Sequence, residues 1–377
     1  MANNKRLRIG ILFGGRSGEH EVSLASAASV IRALDTEKYE AVPIGITKDG
    51  RWLVGTNAQK LLPEVLKTGE RVVLPPDPSS SALVSLGGGS AQPSVKIDVI
   101  FPVLHGTFGE DGTVQGLLEL AGVPYVGAGV LGSAVGMDKD LQKRVFREAR
   151  IPVVAALTIS RHEWETMRGN VLMAVKKKFR FPLFVKPATL GSSVGMTRVS
   201  NAAELPAALD LAAEFAQKIL VERAIRGREI EVSVLGNDEP KASIPGEIIP
   251  HREFYDYAAK YLESGTQLEI PAKLNKKQVA QFREYAVRAF RAIECMGMAR
   301  VDFFLERGTG KIYLNEVNTI PGFTSISMYP KLWEASGIPY SELITRLIDL
   351  ALEQHKEKAR TKYSIELPAG AGGALEG

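Results

Sequence analysis

Two alternating runs near the C-terminus carry side chains that could hold a cation. Arg300-Val301-Asp302-Phe303-Phe304-Leu305-Glu306 and Ile312-Tyr313-Leu314-Asn315-Glu316-Val317-Asn318 flank Gly308-Thr309-Gly310. A three-residue hairpin loop is a common geometry. It predicts that Arg307 faces Lys311, Asp302 faces Glu316, and Arg300 faces Asn318. Side chains alternate along a strand, so the last four share one face. Two carboxylates placed opposite each other repel unless positive charge lies between them. Oxygen donors alone suit a hard ion such as Mg2+, which usually also holds substrate phosphates. The alternative is a solvated polar hairpin face.

A second candidate is Phe181-Pro182-Leu183-Phe184-Val185-Lys186-Pro187 followed by Gly191-Ser192-Ser193-Val194-Gly195. A strand ending in lysine, then a Gly/Ser loop, exposes backbone N–H groups and lets the main chain approach a phosphate. The loop also matches the G-x-S-x-G nucleophile elbow, but Met196–Val199 reads as a returning strand where an elbow needs a helix. Gly127-Ala128-Gly129-Val130-Leu131-Gly132 matches a dinucleotide fingerprint. The acid that should follow at a strand end falls on helix signals instead, so a tight domain junction is preferred. A Walker loop and a zincin helix are both missing. Two Gly-rich loops follow apolar strands, one carrying Glu19 and the other His105. Loops at strand C-termini of α/β units are the usual ligand sites. Arg252–Tyr261 packs three tyrosines and Lys260 into an aperiodic segment, which reads as a lid or as a loop pinned by its aromatics.

These loops need a scaffold. The first third alternates strand and helix signals: Arg8–Phe13, His20–Leu34, Ala41–Ile46, Ile97–Leu104, Thr113–Ala121 and Val123–Val126. That rhythm predicts a parallel sheet covered by helices, with Pro75–Gly89 as a long loop. A second unit begins near Gly132, with a helix over Asp138–Ala149 that Asp138 caps, and another over Glu163–Lys178. A third unit has strands at Glu229–Leu235, Ala242–Ile249, Ala299–Glu306 and Lys311–Val317, and helices at Asn275–Met296 and Ser341–Lys356. The division expected is 1–131, 132–222 and 223–360, with 361–377 a disordered tail. A length of 377 residues suits two or three domains. A net charge of +4 signals neither a nucleic-acid nor a membrane-surface partner, and no run approaches a membrane span. The lone Cys295 excludes an intramolecular disulfide framework and a Cys-rich zinc site. The cytoplasm is the expected location.

Taken in order, the motifs resemble the D-alanine–D-alanine ligases of the ATP-grasp superfamily, from about Arg8 to about Ala351. The carriers are Gly14–Ser23, His105-Gly106 through Glu110-Asp111-Gly112, Met137-Asp138-Lys139, Lys186-Pro187 with Gly191–Gly195, and Phe254–Tyr261. Arg300-Val301-Asp302, Asn315–Thr319 and Pro321–Ser325 complete them. The resemblance implies an α/β fold: a Rossmann-like N-terminal domain and two α+β domains clasping ATP. It implies that ATP phosphorylates one D-alanine and that the amine of a second attacks the acyl phosphate. Asp302, Glu316 and Asn318 then resemble ligands of two Mg2+ ions, for which Mn2+ can substitute. Lys139, Lys186 and the lid residue Lys260 match phosphate-binding lysines, and Glu222 and Glu229 match adenine-hinge and ribose positions. Arg300 matches the arginine that stabilises the transferred phosphoryl. Glu19 resembles the residue that binds the first ammonium, and with Ser192 and Tyr261 it would tie the lid to both other domains. His105 would line the first alanine site, and Gly322 and Ser327 would hold the second alanine. Ala258 departs from the glutamate common in relatives, which puts lid ordering in doubt. Tyr261 favours an amine nucleophile, because relatives making D-alanine–D-lactate tend to lack it. The resemblance also implies a homodimer. Rival readings are a ligase with another acyl acceptor and a non-catalytic nucleotide-binding module.

Overall fold

The computed structural model describes residues 6–55, 62–87, 92–191, 194–249 and 267–363. Ser192 and the whole expected lid segment Arg252–Tyr261, with Lys260 and Tyr261, lie outside these ranges, as does most of the expected tail.

The N-terminal unit is built on β1 (Leu7–Gly14), which has parallel neighbours β2 (Tyr39–Ile46) and β7 (Val99–Pro102). The last six residues of β1 are buried, as a strand covered on both faces requires. Helix α1 (His20–Ala33) makes the first crossover. The rest of this sheet departs from the parallel expectation. β3 (Trp52–Val54), α2 (Leu62–Thr68), β4 (Glu70–Val73), β5 (Ala82–Ser85) and β6 (Gln92–Lys96) follow β2. The strands among them extend the sheet in antiparallel steps, giving the order β6-β5-β4-β3-β2-β1-β7. The link from β2 to β3 is a tight turn closed by Thr47 N–H to Arg51 O, too short for a parallel crossover. So the segment read as a loop over Pro75–Gly89 contains β5. Val123–Val126 reduces to a single bridge between Ile100 and Tyr125.

After α3 (Thr113–Leu120), helices α4 (Val130–Met137) and α5 (Lys139–Glu148) lead into the second unit. The glycine fingerprint at this junction is explained by packing. A Cβ at Gly132 would lie 2.9 Å from Glu294 O, and one at Gly297 would lie 3.1 Å from Gly127 N. Asp138 caps α5, its carboxylate accepting from Asp140 N–H and Leu141 N–H. The second sheet is antiparallel, in the order β10-β9-β11-β8, formed by β8 (Ala156–Ser160), β9 (Leu183–Pro187), β10 (Thr197–Val199) and β11 (Lys218–Arg223). It shares a core with α6 (Arg161–Thr166), α7 (Arg168–Lys178) and α8 (Leu205–Phe215). The single helix expected over Glu163–Lys178 is broken at Met167, just before Gly169 and Asn170, which are weak helix formers.

The third sheet, β15-β14-β12-β16-β17 with β13 beside β12, is also antiparallel. Its strands are β12 (Gly227–Gly236), β13 (Lys241–Ala242), β14 (Gly246–Ile249), β15 (Gln267–Glu269), β16 (Gly297–Glu306) and β17 (Ile312–Asn318). The strand expected over Ala242–Ile249 is split before Gly246, where Pro245 has no N–H for a ladder. One face of the sheet buries Ile230, Val232, Val301, Phe303, Leu305 and Val317 with Phe282 and Phe290 of α9 (Lys276–Ala292). The opposite face is left for polar side chains. Helices α10 (Met328–Ala335) and α11 (Tyr340–Lys358) fold back onto the N-terminal sheet. Leu343, Ile344, Leu347 and Ile348 share one core with Ile9, Phe13, Val99 and Phe101. Phe323 stands edge-on to Phe101 at 5.7 Å, which fastens the loop after β17 to the first unit. Among the described residues no helix is long and apolar enough to cross a membrane.

Candidate functional site

The hairpin β16–β17 pairs Asp302 with Glu316 and Arg300 with Asn318, so the four side chains share the polar face as expected. The route to that register differs. Glu306 N–H donates to Lys311 O, so Arg307 does not face Lys311 and the loop spans 307–310. A bulge between Asp302 and Phe303 then restores the pairing. Next door on β12, Glu231 pairs with Asp302 and Ser233 with Arg300, which brings Glu229 and Glu231 onto the same face.

Arg300 is the hub of that face. Its Nε and Nη2 donate to Asp302 Oδ1 and Oδ2, each at 2.7 Å, and its Nε lies 3.0 Å from Glu231 Oε2. Asn318 Nδ2 donates to Asp302 Oδ2 at 3.0 Å. Burial opposes the charge on Arg300, but Asp302 and Glu231 outweigh it and raise its pKa well above the ordinary value. Among the described residues no three His, Cys, Asp or Glu side chains form a metal cluster by themselves. The oxygen donors that the β16–β17 pair contributes are the Asp302 and Glu316 carboxylates and the Asn318 amide, with Glu231 beside them on β12.

Lys139 joins this face to the second unit. Its Nζ lies 3.1 Å from Glu316 Oε2 and donates to Leu190 O at 2.9 Å. Burial disfavours its charge, yet Glu316, Glu110 and Glu222 prevail and its pKa is raised. Lys186 and Glu222 are both buried, their charged ends 2.8 Å apart. A third member was not anticipated: Lys143 of α5, 1% exposed, lies 2.8 Å from the other oxygen of Glu222. Lys139 and Lys143 stand four apart on one helix face, and that spacing was a usable signal. Burial would raise the Glu222 pKa, but the two lysines overcome it and lower the value to about 2.

The loops after β1 and β7 close the site from the first unit. Gly14 and Gly15 have φ of 89° and 99°, and a Cβ at Gly14 would lie 2.2 Å from Ile46 O. Glu19 precedes α1, and its Oε2 would lie 2.9 Å from a Cβ at either Gly106 or Gly191. The carboxylate is thus wedged between loops of two units. His105 is buried, with Nδ1 3.1 Å from Ile320 O and Nε2 3.2 Å from Ser26 Oγ. Nδ1 therefore carries the proton, and Ser26 O–H donates to Nε2 while accepting from Phe323 N–H. Burial lowers the His105 pKa against the pull of Glu19, consistent with a neutral ring. Glu110 was anticipated only as part of a motif. It accepts from Gly106 N–H at 2.6 Å and from Ile320 N–H at 3.3 Å, so His105 and Glu110 hold both sides of the Ile320 residue. Burial, then the nearby Glu19, raises the Glu110 pKa to about 8. Ser327 Oγ lies 2.7 Å from Thr324 Oγ1 and would lie 3.0 Å from a Cβ at Gly322, so those two predicted residues adjoin.

The structure thus brings together Glu19, His105, Lys139, Arg300, Asp302, Glu316 and Asn318 through contacts around the 188–191 loop and the end of β17. Lys186 and Glu222 form a neighbouring pair, and Glu229 sits further along β12 on the shared face. A separate cleft of about 350 Å3, lined by Pro78, Leu118, Tyr125, Gln354 and Lys358, includes none of these side chains.

Comparison with known proteins adds a second line of observation. Residues 8–128 match the family model described as D-ala D-ala ligase N-terminus, and residues 145–349 match D-ala D-ala ligase C-terminus. The chain is 52% identical over 353 residues to a D-alanine–D-alanine ligase of Heliobacterium modesticaldum, covering 93% of this chain and 96% of the relative. The solved D-alanine-D-alanine ligase from Coxiella burnetii superposes with a TM-score of 0.83 at 40% identity, covering 94% of this chain and 96% of that one. The VanG D-Ala:D-Ser ligase from Enterococcus faecalis also gives a TM-score of 0.83, at 37% identity, covering 92% of this chain and all (100%) of that one.

Proposed function

The chain belongs to the D-alanine–D-alanine ligase family, and from that premise we propose how its residues divide the work of the reaction. It is an ATP-using enzyme of the ATP-grasp type that makes D-alanyl-D-alanine for peptidoglycan. The γ-phosphoryl of ATP passes to a carboxylate oxygen of the first D-alanine, and ADP leaves. The amine of the second D-alanine then attacks the acyl carbon. Phosphate departs from the tetrahedral adduct, and the amine proton is lost.

Lys139 and Lys186, with Lys260 from the lid, bind the phosphates, and Glu222 and Glu229 border the adenosine. Arg300 faces the charge on the transferred phosphoryl and the tetrahedral oxygen, where positioning and electrostatics carry most of the catalysis. Glu19 holds the ammonium of the first D-alanine beside neutral His105, with Ser192 and Tyr261 as its partners. Gly322 and Ser327 receive the second D-alanine. Asp302, Glu316 and Asn318 supply hard oxygen donors that fit Mg2+ or Mn2+. Such an ion, when bound, neutralises phosphate charge. We assign residues 1–131, 132–222 and 223–360 to three domains of a cytoplasmic homodimer.

The observation that carries this reading is the shared face of Arg300, Asp302, Glu316 and Asn318, with Lys139 reaching it from the start of α5, beside the 188–191 loop. The likeness to a D-Ala:D-Ser ligase makes the acceptor the point to test. ADP release is measured with D-alanine alone and with D-alanine plus D-serine or D-lactate, with and without Mg2+. D-alanine alone should give the full rate, should require Mg2+ or Mn2+, and should yield the dipeptide as the main product in every mixture. A mixed product dominating at equal concentrations overturns the acceptor assignment.

A further inference from the structure

Three carboxylates stand in one row across three strands: Glu231 on β12, Asp302 on β16 and Glu316 on β17. Among the described residues, two cations pair with them. Lys139 meets Glu316, and Arg300 meets both Asp302 and Glu231. The two partners of Arg300 are not equivalent. Asp302 takes the guanidinium edge-on through Nε and Nη2, the strong two-pronged geometry. Glu231 Oε2 lies 3.0 Å from Nε as an ion pair, the Nε hydrogen being donated to Asp302, and its side chain is more deeply buried, 7% exposed against 14% for Asp302. Under the proposed reading, Asp302 turns its oxygens toward a divalent ion. Arg300 must then give up its two-pronged partner while keeping its place. Glu231, outside the expected donor set, keeps its ion pair with the guanidinium from β12, the strand on the other side of β16 from β17.

We propose that Glu231 is a positioning residue whose buried negative charge holds the Arg300 guanidinium in place, so that its N–H groups can turn to the phosphoryl group once Asp302 is committed to a metal. This rests on the roles proposed for Arg300 and Asp302. Without Glu231, Arg300 settles on Asp302 and competes with the metal for it. A misplacement of about 1 Å near a reacting centre costs roughly 100-fold in rate, so the contact is worth testing on kcat.

The test uses the full chain and two variants, Glu231→Gln and Glu231→Asp. Glu231→Gln is expected to lower kcat roughly 10- to 100-fold with little change in the KM for D-alanine. It is also expected to weaken Mn2+ binding to the nucleotide-free protein, read by electron paramagnetic resonance. Glu231→Asp, which keeps the charge, should recover part of both losses. It also serves if the glutamine variant does not fold. In an Arg300→Gln background, the effect of Glu231→Gln on Mn2+ affinity should shrink at least threefold, since the competitor is gone. A lower melting temperature with wild-type kcat and Mn2+ affinity would make Glu231 merely structural and overturn the inference. An undiminished Mn2+ effect in the Arg300→Gln background would do the same. Mn2+ affinity unaffected by Asp302→Asn overturns the metal reading itself, and this inference with it.

Discussion

Replacing Asp302 with asparagine is expected to cut ADP formation by about 100- to 1,000-fold, the usual cost of removing one electrostatic stabiliser of a transition state. The side chain keeps its size, so the strand should still form. What changes is charge and polarity. Asp302 accepts from Arg300 Nε and Nη2 and from Asn318 Nδ2. An amide there loses the negative charge and turns a donor toward other donors. Arg300 would keep its ion pair with Glu231 but lose its two-pronged partner, and the oxygen-donor set would lose one of its two carboxylates. The loss should fall mainly on kcat, because the proposed roles place this residue at the transferred phosphoryl and not at the adenosine. Wild-type turnover in this variant would rule out the shared face as the site of chemistry.

The second large effect is on stability. Glu222→Gln should destabilise the protein by about 3–5 kcal/mol, because it removes one partner of a buried charge cluster. Lys143 and Lys186 each lie 2.8 Å from the Glu222 carboxylate, and Lys143 is 1% exposed. With glutamine between them, two ammonium groups share a buried site without the carboxylate that both contact directly. The sign of the pH dependence follows from the lowered pKa of about 2, against an ordinary value of 4.5. The stability that Glu222 contributes is present above about 4.5 and lost as pH falls toward 2. Urea unfolding at pH 7 should show the loss, and the acid-side decline below about 4.5 should be shallower in the variant than in the parent. An unchanged midpoint and an unchanged acid limb would mean that the cluster is not a coupled charge site. Misplacing Lys186 should also raise the KM for ATP.

Much of the site was legible because β16 advertises its faces. Val301, Phe303 and Leu305 are buried, while Arg300, Asp302 and Phe304 alternate with them. β17 was read less well. Leu314 and Val317 are three apart, so its apolar spacing breaks from two to three at Asn315, the residue passed over by the ladder. The bulge was written in the sequence and was overlooked. The assumed three-residue loop was wrong in the opposite sense, and the two errors cancelled at Asp302 and Arg300. Glu231 shows a different limit. Its alternation with Ile230 and Val232 places it on a polar face, but not beside Asp302. That placement needs the pairing of strands about 70 residues apart, which follows from tertiary packing and not from local pattern. The antiparallel extension of the first sheet was hidden for a related reason. Short strands such as Trp52–Val54 and Ala82–Ser85 carry too few residues for periodicity to declare them.

Joining two D-alanines at the expense of ATP fixes the ratio of the products. The most direct measurement is the stoichiometry of one reaction mixture containing the protein, ATP, Mg2+ and D-alanine. ADP, phosphate and D-alanyl-D-alanine should appear in equal amounts, and L-alanine should give none of them. ADP formed without dipeptide, or at the same rate with L-alanine, would mean that the chain does not carry out this ligation.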